Sequence, residues 1–78
     1  MHIVIGNLPD DVTENGIREA LSSFAQAEKI RLVNESGAPT AVIDVEMTRA
    51  QAEALARRIH GRSYQHCVLR AWVPKMDW

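Results

Sequence analysis

The stretch that most constrains the fold is Thr40-Ala41-Val42-Ile43-Asp44-Val45-Glu46-Met47, in which Ala41, Ile43, Val45 and Met47 are all apolar while Thr40, Val42, Asp44 and Glu46 are mixed. A period of two is the pattern of a β-strand whose sheet has one packed face and one open face. The segment predicts a central strand, with Ile43 and Val45 toward the core and Val42 on the open side. Such a strand needs paired neighbours and a second layer to bury its apolar face. The rest of the chain must supply both.

Elements of both kinds are legible on either side. His2-Ile3-Val4-Ile5-Gly6 alternates with Ile3 and Ile5 inward and His2 and Val4 outward, then stops at the turn residues Asn7-Leu8-Pro9-Asp10. Thr13 stands as an N-cap, Val12 and Ile17 occupy the hydrophobic-staple positions, and Ile17, Ala20, Leu21 and Phe24 recur at helical spacing. Gly16 falls in the first turn of that helix, where an interior glycine costs roughly 0.5–1 kcal/mol. Glu28 to Val33 reads as a second strand, with Ile30 and Leu32 inward and Lys29, Arg31 and Val33 outward. The loop that follows contains Gly37, which can take positive φ, so this strand should form an antiparallel hairpin with the central one. Thr48 and Gln51 spell a capping box before a second helical stripe, Ala52, Leu55, Ala56 and Ile59, which Gly61 closes. Cys67 to Val73 reads as one fourth strand, with Cys67, Leu69 and Ala71 inward and Val68, Arg70 and Trp72 outward, ended by Pro74.

The order βαββαβ implies an α+β, ferredoxin-like sandwich: a four-stranded antiparallel sheet with both helices on one face. The first and central strands should lie inside, the second and fourth at the edges. The expected core is Ile3, Ile5, Ile17, Leu21, Phe24, Ile30, Leu32, Ile43, Val45, Leu55, Ile59 and Leu69, in a domain over residues 1–73 with a tail at 74–78.

Composition excludes several functions. The lone Cys67 rules out an intramolecular disulfide or a cysteine zinc site and points to a reducing compartment. No apolar run approaches the ~18 residues of a membrane span, and nothing resembles a signal peptide. The expectation is a cytoplasmic protein without membrane association. His2, His60 and His66 are dispersed without metal-ligand spacing. His66 and Cys67, adjacent on an extended strand, would face opposite ways and form no nucleophile and base pair. Asp44 and Glu46, two apart on the open side, could form a carboxylate pair, but no pocket is marked for acid/base work. No catalytic residue, metal or cofactor is expected, so the chain should not be an enzyme. A net charge of −1 and a pI near 6.3 argue against strong, indiscriminate phosphate binding. The charge is polarised: residues 1–46 hold three basic against eight acidic residues, whereas 47–78 hold six against two, a field that could steer a ligand.

From Met1 to about Val73 the chain resembles the RNA recognition motif family. Beyond the order of elements, Ile3-Val4-Ile5-Gly6-Asn7-Leu8-Pro9 looks like the family's hexamer motif, and Thr13 and Gly61 sit where the family usually has them. The octamer motif matches at the inward positions Ala41, Ile43 and Val45, but Ala38 stands where Lys or Arg is usual. The positions that carry base-stacking aromatics in the family are Val4, Thr40 and Val42. Each stacked base is worth ~1–3 kcal/mol, so such a sheet holds RNA only modestly unless another residue replaces the platforms.

Trp72 is the visible replacement, outward on the fourth strand and brought by antiparallel pairing toward His2, with which it could sandwich a base. Arg31 and Arg70 could reach phosphate or bases from opposite edges. The resemblance thus implies single-stranded RNA held on the open sheet face by His2, Val4, Asn7, Arg31, Thr40, Val42, Asp44, Arg70 and Trp72. Two other readings stand beside it. Arg62-Ser63-Tyr64 resembles the Arg-X-Phe motif with which some family members bind tryptophan-bearing peptides, here with Glu19 on the first helix. Val4, Val42, Val68 and Trp72 could instead form an apolar patch for a homodimer.

Overall fold

The structure, a computed structural model, describes residues 1–22, 27–33 and 39–75. Phe24 and Gly37 lie outside the described residues. Eight elements follow in order: β1 (His2–Gly6), α1 (Glu14–Leu21), β2 (Lys29–Val33), β3 (Thr40–Asp44), α2 (Arg49–Ile59), β4 (Ser63–Tyr64), β5 (Cys67–Val68) and β6 (Arg70–Trp72). The main sheet is antiparallel in the order β2-β3-β1-β6, with the two most apolar strands in the middle as alternation requires.

The register places Ile3 opposite Ile43 and Ile43 opposite Ile30, so three β-branched side chains meet on one face. Beneath them lie Ile17 and Leu21 of α1 and Ala52, Leu55, Ala56 and Ile59 of α2, all buried. Leu32 and Leu69 are half-buried at the margin of this core. Ala20, expected on the apolar stripe of α1, is exposed, because it borders an open cleft between α1 and the β4–β5 segment rather than the sheet.

Both helix starts are fixed by side-chain caps. Thr13 is extended (φ −124°, ψ 160°) and its Oγ1 accepts the Gly16 N–H at 3.0 Å. Thr48 and Gln51 form the reciprocal box: Thr48 Oγ1 accepts the Gln51 N–H at 3.2 Å and Gln51 Oε1 accepts the Thr48 N–H at 3.1 Å. The box shortens β3. The central strand ends at Asp44, not at Met47: Val45 still donates to the Met1 carbonyl at 2.9 Å, and the chain then bends at Glu46 to bring Thr48 into its cap. At the other end Gly61, at φ +86°, closes α2.

The expected fourth strand is divided. Cys67–Val68 pairs with Ser63–Tyr64 in a separate two-stranded ribbon, and only Arg70–Trp72 joins β1. Leu69 stands between them, its N–H bonded to the Arg62 carbonyl at 2.7 Å and its carbonyl to the Gly61 N–H at 2.8 Å. His66 belongs to the ribbon's turn, not to a strand beside Cys67.

Replacing Ile43, 1% exposed, by Ala should cost about 2–5 kcal/mol in urea unfolding, because the surrounding sheet and helices cannot collapse onto the void. Thr48→Ala should cost about 1 kcal/mol by the same measurement, the size of a lost cap.

Candidate nucleic-acid interface

On the face away from the helices, the register arranges the outward side chains in three rows across the strands. Lys29, Asp44 and His2 form the first; Arg31, Val42, Val4 and Trp72 the second; Val33 and Thr40, then Gly6 and Arg70, the third. All nine residues expected to meet RNA, except Asn7, therefore lie on this face.

The two valines are not exposed as expected. Val4 is 0% and Val42 4% exposed, although neither belongs to the core beneath the sheet. Each is a short side chain on an inner strand, flanked in its row by the longer Arg31 and Trp72. They form the floor of the surface. Of the four residues of the expected apolar patch, Val4 and Val42 are buried, Val68, 56% exposed, sits on the ribbon, and Trp72 is exposed on this sheet.

Among the described residues, Trp72 is the large apolar side chain that emerges on this face, at 43% exposure. Its indole leans away from His2. A Cβ on Gly6 would sit 3.4 Å from Trp72 Cη2 and Cζ3, so the six-membered ring lies over the glycine, toward Thr40. The reason is space: of Val4's two neighbours along β1 on this face, His2 carries an imidazole and Gly6 carries nothing. His2 accompanies Asp44, with Nε2 4.0 Å from Oδ1, while the Met1 ammonium lies 3.8 Å from the same oxygen and Lys29 stands opposite in the register. The one acidic side chain of the face among the described residues is thus ringed by basic groups. Glu46 does not pair with it, because the chain has left the strand.

Arg31 and Arg70 are exposed on the edge strands β2 and β6, and neither forms an ion pair with a described residue. Asn7 has a structural role. It takes positive φ (61°), which Asn tolerates better than most residues, and its Nδ2 donates to the Val68 carbonyl at 2.7 Å, tying the end of β1 to the ribbon. Only its position beside Gly6 relates it to the sheet face.

The residues of the alternative peptide site do converge. Arg62 and Tyr64 line a cleft of about 210 Å³ with Ile17, Ala20, Leu21 and Leu69, and Glu19 borders the adjoining hollow beyond Tyr64. Gly16 belongs to this region: a Cβ there would stand 3.0 Å from the Tyr64 hydroxyl and 3.2 Å from Thr13 Oγ1. The first-turn glycine is the space in which Tyr64 rests. Gln65 and His66, at φ 48° and 70°, form the ribbon's two-residue turn in a conformation usually left to Gly or Asn.

Sequence reasoning missed Gly6 as the seat of the indole and also His60, whose Nδ1 accepts the Ala71 N–H at 3.2 Å and so fastens the edge strand β6 to the end of α2. The diagonal from Trp72 to a residue without a side chain was available from the strand pairing; the histidine bond was not, since it depends on where α2 ends. Among the described residues no cluster of three or more His, Cys, Asp or Glu could hold a metal ion, and no helix is long and apolar enough to cross a membrane.

The family model of the RNA recognition motif matches residues 3–70. The chain belongs to the RNA recognition motif family. Its fold is similar to that of the N-terminal three RNA binding domains of the yeast splicing factor Prp24, with a TM-score of 0.79 and 24% identity over 96% of this chain and 31% of that one. It is also similar to the RNA recognition motif of Rna15 with bound RNA (GU), at 0.78 and 18% over 96% of this chain and 83% of the other. The C. elegans NONO-1 homodimer matches at 0.70 and 28% over 91% and 27%. The chain thus spans less than a third of the Prp24 and NONO-1 chains. No curated protein matches the sequence.

Asn7→Gly keeps the backbone conformation and loses the bond to Val68, whereas Asn7→Ala loses both. The alanine variant should be the less stable of the two by about 1–2 kcal/mol in chemical unfolding, the cost of a left-handed residue with a Cβ.

Proposed function

We propose that this RNA recognition motif binds single-stranded RNA on the open sheet face, with Trp72 as its principal base platform and Arg31 and Arg70 as flanking phosphate or base contacts. The observation that carries the reading is the exposed Trp72, whose six-membered ring reaches Gly6 on a face whose central positions are buried valines. A broad aromatic surface between two arginines is the combination that single-stranded nucleic acid needs: a π-face for a base and positive charge for the backbone. The Rna15 neighbour, whose structure holds RNA (GU), supports this class of ligand for the fold. One platform in place of two or three makes the affinity modest. Thr40, beside Gly6, and Asp44, among its basic neighbours, would then contact base edges rather than stack. Binding, not catalysis, is the activity, and the free thiol of Cys67 suits a reducing cytoplasm.

A second reading is favoured by the cleft between α1 and the ribbon. Its apolar floor and the Arg62 and Tyr64 rim suit an aromatic side chain of a partner peptide. The two ligands would occupy opposite sides of the domain, so an amide chemical-shift titration separates them. Single-stranded oligonucleotide should shift Gly6, Arg31, Thr40, Arg70 and Trp72, and Trp72→Ala should weaken binding by about 1–3 kcal/mol while the domain stays folded. A tryptophan-bearing peptide that shifts Glu19, Arg62 and Tyr64, with no response to oligonucleotide on the sheet, would replace the RNA reading with the second one.

A further inference from the structure

The sheet face does not end at β6. Beyond this short edge strand a groove of about 440 Å³ runs between α2 and β6, lined by Glu53, Ala56, Arg57, His60, Ala71, Trp72 and Val73. Glu53, Ala56, Arg57 and His60 follow at i, i+3, i+4 and i+7 and so form one stripe of α2 facing the edge strand. Trp72 is common to the two surfaces: its six-membered ring reaches Gly6 on the sheet, and the residue also lines the groove.

The groove's charge is one-sided once its contacts are assigned. The Glu53 carboxylate is engaged by Arg49 at 3.5 Å, one turn back along the helix. Arg57 is exposed and forms no ion pair with a described residue. His60 accepts the Ala71 N–H through Nδ1, which in the neutral imidazole places the proton on Nε2 and makes that nitrogen a donor. Ala56, buried and small, leaves the space between them open. A guanidinium and an oriented N–H donor beside the strand that carries the aromatic platform match the chemistry of a phosphodiester next to a stacked base.

We propose that single-stranded RNA bound at Trp72 continues across the edge of β6 and sets a backbone phosphate in this groove, against Arg57 and the His60 Nε2–H. The inference rests on the RNA-binding reading of the sheet face and extends it to a subsite on α2.

The test measures the affinity of a fluorescein-labelled ten-nucleotide oligouridylate by anisotropy at several salt concentrations, for the wild-type domain and for Arg57→Ala, Arg58→Ala and Trp72→Ala. Arg58 removes the same charge from the neighbouring helix position but does not line the groove. One lost phosphate contact to a single strand lowers the slope of log K against log salt by about 0.7. Arg57→Ala should show that drop and weaker binding, and Arg58→Ala should leave the slope unchanged. Equal losses from the two arginines, or no loss from Arg57→Ala while Trp72→Ala still weakens binding, would overturn the groove and leave the sheet reading standing. Failure of the wild-type domain to bind, or an unaffected Trp72→Ala, would remove the sheet reading and the groove with it.

Discussion

The pairing register of β1 decides which side chains face the helices and which face a ligand. A slip of one residue against β3 and β6 would exchange the two faces completely. The sequence of β1 hardly resists such a slip, because Ile3, Val4 and Ile5 are all β-branched and all buried. Resistance comes from the neighbours. In the observed register Lys29, Arg31, Asp44 and Arg70 lie on the open side; one step away they would be driven toward Ile17 and Leu55, where an unpaired charge costs several kcal/mol or more. Exchanging Val4 for Ile3 against the helices would cost far less. Parity is therefore imposed on the apolar strand β1 by charged residues on the strands beside it.

That register also explains why the binding surface differs from a simple aromatic-bearing sheet. The inner strands contribute valines and a glycine to the open face, and all three are buried. Height above the sheet comes from the two edge strands, through Arg31, Arg70 and Trp72. Gly6 is the position where these facts meet: a Cβ there would already touch the six-membered ring, so a side chain longer than alanine's would move the indole. The glycine of a strand end, which reads in sequence as the start of a turn, is also the seat of the aromatic ring.

Alternation and capping residues made most of the fold legible. Ile3, Ile5, Ile43 and Val45 announced the packed face of the sheet, and Thr13, Thr48 and Gln51 announced the helix starts, because each signal is local and each has one physical interpretation. The outward side of Trp72, Arg31 and Arg70 was legible for the same reason. The direction in which the indole leans was not, since it depends on a diagonal neighbour across two strands. The depth of Val4 and Val42 was also hidden: parity assigns a side chain to a face but does not say how tall its neighbours are. The division of the fourth strand escaped notice because Cys67 to Val73 keeps perfect alternation through the break. What breaks it is Leu69, whose backbone bonds turn back to Gly61 and Arg62 at the end of α2 rather than onward to β1.

This division has a mechanical consequence for the platform. β6 has only three residues paired to β1, too few for the ladder alone to fix an edge strand firmly. Its other attachments come from α2. His60 holds the Ala71 N–H, and Arg49 donates to the Pro74 carbonyl at 3.0 Å and the Lys75 carbonyl at 3.4 Å, just past the end of the strand. Trp72 therefore stands between two clamps that belong to the helix, one on each side in the chain. Residues at the two ends of α2 thus hold the backbone on either side of an aromatic ring on the other face of the sheet, which a three-residue ladder would hold less firmly by itself.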